Sequence, residues 1–157
     1  LRAALARLNV VETAGTAPRS ILFMCGMNAV RSPIAEALAR RMLPDIFIAS
    51  AGVRAGERDP FVDMVLAEEG MSLGDRQPHT MDDLEDDYFE LIVTLSPQAH
   101  HAALELTRSM AVEVEYWPTP DPTTVTGSRE QIMAAYRDVR DRLAARIRQR
   151  FEPADGA

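Results

Sequence analysis

The sequence predicts an α/β fold in which a central four-stranded parallel sheet lies between two layers of helices. Three observations carry that expectation. Four runs of strand type, at residues 21–25, 46–49, 88–95 and 112–117, alternate with stretches of helical periodicity. The first three runs are each followed by a proline suited to a helix's first turn, at Pro33, Pro60 and Pro97. The chain has 157 residues, 46% of them hydrophobic, enough for one domain with one substantial core. Strands that alternate with helices favour parallel pairing through crossovers, with ligands outside the carboxyl ends of the strands.

Residues 1–19 stand outside this alternation. Leu1, Leu5 and Leu8 fall at helical spacing with Arg2 and Arg7 off the stripe, which suits a short amphipathic helix. Residues 13–19, with Gly15 and Pro18, read as a linker, so the expected domain is 20–152. After the first strand a helix is expected from Ser32 to about Leu43, and Pro44 closes it. The second strand, 46–49, leads into Ser50-Ala51-Gly52, where Ser50 is either a polar turn residue or a partner for the preceding loop. A helix over 60–69 buries Phe61, Val62, Val65 and Leu66 and stops at Gly70.

Residues 71–87 form a polar connection carrying Arg76, His79 and an acidic run that reads as solvated surface. Within it His79 is a surface residue or a contact at a substrate's rim. Leu91-Ile92-Val93 marks a buried third strand, and a helix over 97–110 follows. His100 and His101 are adjacent on that helix and diverge, so they do not share a metal; no metal site or cofactor is predicted. Residues 112–117 alternate apolar and acidic as a fourth, more exposed strand. Pro118, Pro120 and Pro122 then stiffen a loop around Asp121. The last helix opens with a Ser128-x-x-Gln131 capping pattern and buries Ile132, Tyr136, Val139, Leu143 and Ile147.

The chemistry points to the first strand-to-helix junction, Cys25-Gly26-Met27-Asn28-Ala29-Val30-Arg31-Ser32. A helix beginning here aims its unpaired N–H groups and positive dipole end at the loop, which favours a bound dianion such as phosphate. Arg31 adds a bidentate fork. The same field favours the thiolate form of a cysteine, and a thiolate beneath a phosphoryl group is a nucleophile in attack position. Read alone, Cys25 is a small buried hydrophobe at a strand end. Arg31 and the helix start at this spacing are what argue for chemistry.

Cys25, five residues, Arg31 and Ser32, preceded by Ile21-Leu22-Phe23-Met24 and followed by Pro33-Ile34-Ala35-Glu36-Ala37, resembles the low-molecular-weight protein tyrosine phosphatase family. Ser50-Ala51-Gly52 resembles that family's segment after strand two, and Asp121-Pro122 with Gly127 resembles its late acid loop. The resemblance implies a three-layer α/β/α, Rossmann-like phosphotyrosine phosphatase I fold. It implies Cys25 as nucleophile, Arg31 as anion clamp and Asp121 as the acid that protonates the leaving group. Gly26, Met27, Asn28, Ala29, Val30 and Ser32 would surround the phosphate. Ser32 would also donate to the Cys25 sulfur, and Asn28 would hold the loop, since Asn tolerates left-handed backbone. Taken without the resemblance, Asp121 before a proline is a turn cap.

The chain departs from the family's pattern in three places. Met27 stands where glycine is usual, and Val30 replaces a second cysteine, so the protective disulfide of many members cannot form. Residues 53–58 and 123–125 lack the aromatic side chains that flank a phenyl ring in members acting on phosphotyrosine.

The net charge of −7 argues against nucleic-acid binding, and no apolar run is long enough to span a membrane. All 17 basic residues are Arg, from which no function follows. A lone reactive thiol suits a reducing compartment, and the cytoplasm is the expected location. The expected partner is a phosphorylated protein or a small phosphate ester, with inorganic phosphate as product. The related arsenate reductases relay electrons through further cysteines, which leaves an external thiol as the only route to that activity here. A non-catalytic phosphate-binding protein is the third reading.

Overall fold

The computed structural model describes residues 17–84 and 88–152. The helix expected around Leu1, Leu5 and Leu8 lies outside the described residues, as do most of the linker and the acidic residues 85–87. Four strands, β1 (Ser20–Cys25), β2 (Phe47–Gly52), β3 (Leu91–Thr94) and β4 (Glu113–Tyr116), pair in parallel in the order β2-β1-β3-β4. Four helices connect and cover them: α1 (Arg31–Met42), α2 (Pro60–Ala67), α3 (Pro97–Leu106) and α4 (Arg129–Phe151).

Side-chain alternation along β1 separates the layers. Ile21, Phe23 and Cys25 face a core filled by Ile34 and Leu38 of α1, Val62 and Leu66 of α2, and Tyr136, Leu143 and Ile147 of α4. Leu22 and Met24 face the opposite core, where α3 contributes Ala99 and Ala103. The fold is therefore the three-layer α/β/α sandwich expected. With a strand on each side and helices on both faces, residues 21–25 of β1 are wholly buried. The chain leaves β1 toward β2 on one side, whereas β3 lies on the other. This switch opens a crevice at the carboxyl end of β1, where Cys25 sits.

Local capping agrees with the sequence signals. Asp59 caps α2 through Phe61 N (2.9 Å), Ser96 caps α3, and Ser128 and Gln131 form a reciprocal capping box on α4. The boundaries differ in identifiable ways. β2 continues through Ser50, Ala51 and Gly52, which pair with Phe23, Met24 and Cys25, so Ser50 is a strand residue and not a turn residue. α2 stops at Ala67, short of the expected 69, because the chain turns toward Gly70, whose φ is 76°. α3 stops at Leu106, short of 110, where i to i−3 bonds at Thr107, Arg108 and Ser109 tighten the last turn. β3 and β4 are each shorter than the runs that announced them, and Met133 joins the buried stripe of α4 while Ile132 is only half-buried.

The end of α2 is tied to α4 by Glu68, whose carboxylate meets Arg137 Nη2 at 2.9 Å and Arg140 Nη1 at 2.8 Å. Hydrogen bonds from Arg137 and then Arg140 hold this carboxyl at about 2, well below its ordinary 4.5. A depressed folded-state value means that the stabilisation is complete above about 4.5 and is lost as pH falls toward about 2. Glu68→Gln is therefore expected to lower the melting temperature at pH 7 and to narrow its gap from the parent protein below pH 4.5, measured by thermal melts across that range.

Candidate active site

The loop between Cys25 and Arg31 is a cup of backbone donors. Among the described residues, no hydrogen bond engages the N–H groups of Gly26, Met27, Asn28, Ala29, Val30 or Arg31. Val30 precedes α1 without a side-chain cap, and the first turn carries no acidic residue, so the positive end of this twelve-residue helix stays uncompensated. Ser32 was expected to start the helix, which instead begins at Arg31. The Ser32 hydroxyl has turned inward, 3.1 Å from Cys25 Sγ, and accepts from Asn28 Nδ2 at 2.9 Å. Either the hydroxyl or the thiol can donate in this contact; to a thiolate, which only accepts, the hydroxyl is the donor. Both Cys25 and Ser32 are buried, at 2% and 0% exposure.

Asn28 holds the loop's shape from beneath. Its φ of 53° makes it the only non-glycine residue with positive φ among the described residues, and it is fully buried. Its amide oxygen accepts from His79 N (3.0 Å) and Arg76 Nη2 (3.3 Å), while its nitrogen donates to Ser32 Oγ and Ser50 Oγ (3.0 Å). Ser50 donates in turn to Glu36 Oε1. Glu36, 2% exposed, meets Arg76 at 2.9 Å and Arg40 at 2.8 Å. Burial pulls the Arg76 guanidinium below its ordinary value, and the Glu36 carboxylate opposes that. The His79 ring bonds Ser50 O at 2.7 Å, which places it behind the loop and not at a substrate's rim.

The chain just beyond β2 gives the loop its other support. Val53, Arg54 and Gly56 donate backbone N–H groups to the carbonyls of Cys25, Gly26 and Met27 at 3.1, 2.9 and 2.8 Å. These bonds leave the amide side of the loop free. Gly52 lies so close that a Cβ there would come within 2.7 Å of Asn28 N and 2.8 Å of Met27 C. Gly52→Ala is expected to destabilise the fold by about 1–3 kcal/mol and to weaken phosphate binding at the loop, read by denaturant titration and by vanadate affinity. Met27 itself is 47% exposed and packs against Gly56, so the loop accommodates a side chain where the family usually has none.

The other side of the crevice comes from the chain beyond β4. Arg31, the first residue of α1, donates from Nη1 to Thr119 O at 3.0 Å, and its Nη2 lies 3.9 Å from Asp121 Oδ2. Asp121 Oδ1 accepts from Thr123 N (3.0 Å) and Thr123 Oγ1 (2.7 Å), capping the 3-10 turn Pro122–Thr124. The residue therefore caps a turn with one oxygen and keeps the other toward Arg31. Nearby, the Tyr136 hydroxyl donates to Asp59 Oδ2 at 2.6 Å. Burial, then Asp59 and the charge of Asp121, push the Tyr136 phenol above its ordinary value, so it remains a proton donor to Asp59. The exposed large hydrophobic residues of the flanking stretches, Val53 and Val125, are both aliphatic. Phe61 is occupied by the Tyr136 ring at 5.2 Å.

The structure thus gathers Cys25, Arg31, Ser32, Asp121 and the loop residues Gly26, Met27, Asn28, Ala29 and Val30 at one end of the sheet. Sequence reasoning missed the Glu36–Arg76 pair beneath them. A carboxylate on the buried face of α1, one turn after Ser32, was the available signal, since such a group requires a partner. Among the described residues no helix is long and apolar enough to cross a membrane, and no three metal-ligating side chains cluster.

A strand-loop-helix anion cup with a thiol at its floor defines a class, and comparison with known families agrees. The family model described as low molecular weight phosphotyrosine protein phosphatase matches residues 20–154, and the chain belongs to this family. The arsenate reductase of Halalkalibacterium halodurans is 30% identical over 129 residues, covering 82% of this chain and 91% of that protein. Among solved structures, the tyrosine phosphatase AmsI of Erwinia amylovora superposes with a TM-score of 0.68 at 25% identity, covering 88% of this chain and 97% of AmsI. The arsenate reductase of Archaeoglobus fulgidus gives a TM-score of 0.58 at 28% identity, over 81% and 98%.

Proposed function

We propose that the chain is a cysteine-dependent phosphatase that hydrolyses phosphate monoesters, with protein phosphotyrosine as its substrate class and the cytoplasm as its location. The unit at 20–152 carries this activity, and residues 1–19 are an extension. The observation that carries the reading is Cys25 Sγ, 3.1 Å from the Ser32 hydroxyl, at the floor of a loop whose amides are unengaged, with Arg31 and Asp121 at the same end.

In the first step the Cys25 thiolate attacks phosphorus in line. The S–P bond forms as the ester O–P bond breaks, and Asp121 gives its proton to the departing oxygen. Arg31 and the loop amides stabilise the equatorial oxygens, so preorganised electrostatics supply much of the rate. Asp121, now a carboxylate, takes a proton from water. That water attacks phosphorus, the S–P bond breaks, and the electron pair returns to a sulfur stabilised by the Ser32 hydroxyl.

The arsenate reductases among the relatives favour one second reading, reduction of arsenate. Cys25 is the chain's only cysteine, so the reducing electrons for that reaction would come from an external thiol such as glutathione. Phosphate release from phenyl phosphate and arsenate-dependent oxidation of glutathione, measured side by side on the reduced protein, separate the two. Phosphate release without thiol consumption supports the phosphatase. Thiol consumption alone supports the reductase, and binding of phosphate with neither reaction supports a non-catalytic phosphate-binding protein.

A further inference from the structure

Behind the phosphate loop, between α1 and the connection that follows α2, lies a cavity of about 270 Å³. It is small for a ligand pocket, and these commonly run about 300–1,000 Å³. Arg40, Arg41 and Arg76 line it, with Ala37, Met71 and Leu73 as apolar wall. In a chain of net charge −7, three guanidinium groups around one recess are a local reversal of sign. The single carboxylate there, Glu36, is already engaged: Oε1 by Arg76 and Ser50, Oε2 by Arg40.

The arginines are not exhausted by these contacts. Every contact of Arg76 with Glu36, Ser50, Asn28 and His79 uses Nη2 alone. Arg40 bonds Ile48 O and Glu36 through Nε and Nη2, and Arg41 bonds Glu69 O through Nη1. Each guanidinium carries five N–H donors, so each keeps donors for a further acceptor.

We propose that this cavity binds a small organic polyanion, the shared chemistry of tricarboxylates and of organic bisphosphates, and that its occupancy is felt at the phosphate loop. The coupling runs through Arg76. An anion that draws this guanidinium toward the cavity competes with Glu36 and with Asn28 and Ser50, which shape the loop. Two sites that share one arginine are linked reciprocally: whatever the polyanion does to anion affinity at the loop, an anion in the loop does to the polyanion.

The binding half of this proposal does not depend on the reaction proposed above. Citrate and glycerate 2,3-bisphosphate, titrated calorimetrically at constant ionic strength with the loop occupied by excess vanadate, distinguish carboxylate from phosphate ligands. One-to-one binding that weakens by about tenfold or more in Arg41→Glu, and less in Arg41→Gln, is the expected result. Vanadate affinity at the loop is expected to change by about fivefold or more when the cavity is saturated. Absence of binding by both probes in the millimolar range, with the loop free as well as with it occupied, or binding indifferent to both Arg41 variants, overturns the site. Binding that leaves vanadate affinity unchanged overturns the coupling.

Discussion

Cys25→Ser is expected to abolish phosphate release from phenyl phosphate, a loss of at least about 10⁴-fold in kcat, while the protein stays folded and still binds vanadate. Serine fits the space and keeps a hydrogen-bonding atom opposite Ser32, so the cup survives. What disappears is the nucleophile. A serine hydroxyl needs an adjacent base to attack, and the group beside it is Ser32, whose oxygen already accepts from Asn28. Melting temperature and vanadate affinity, measured beside turnover, separate this from a packing effect. If Cys25 served only as a buried filler, turnover would persist.

Asp121→Asn is expected to lower kcat by about 10²–10⁴-fold for an alkyl phosphate and by much less for p-nitrophenyl phosphate, whose leaving oxygen needs little protonation. Asparagine is chosen because it keeps the turn. Its amide oxygen accepts from Thr123 N as the carboxylate does, so the 3-10 cap remains while the transferable proton is lost. A drop of equal size for both esters would point to disturbed positioning and away from acid catalysis. Steady-state kinetics on the two esters decide between them.

The parts of the site that could be read from the sequence are those that depend on local order. Cys25, Arg31 and Ser32 fall at a strand-to-helix junction, where neighbours in sequence are neighbours in space. The support beneath them is of the opposite kind. Arg76 meets Asn28 across 48 residues, and Ser50 meets Glu36 across 14, with no pattern in the chain to announce either pairing. Ser50 reads as either a turn residue or a partner for the loop; pairing with Phe23 on β1 makes it a strand residue, and its hydroxyl accepts from Asn28 Nδ2 in the loop. The helix over 60–69 overshoots for a related reason: its apolar side is legible, whereas its end is set by the turn toward Gly70. For Asp121, cap and acid look like competing assignments in sequence; in the structure one oxygen caps the turn and the other lies 3.9 Å from Arg31.

Arg31 reaches from the rim of the cup to Thr119 O and toward Asp121, and so joins the loop to the segment beyond β4. Cys25 and its loop come from the first third of the chain and Asp121 from the last, so this guanidinium acts as a mechanical tie between parts that fold from distant stretches. An anion in the cup is expected to fix the fork and, through it, to restrain the segment that bears Asp121, so that anion capture and local order in that segment become one equilibrium. Inorganic phosphate should slow amide hydrogen exchange at Thr119, whose N–H bonds Leu95 O at 3.2 Å, and Arg31→Lys should break that correlation.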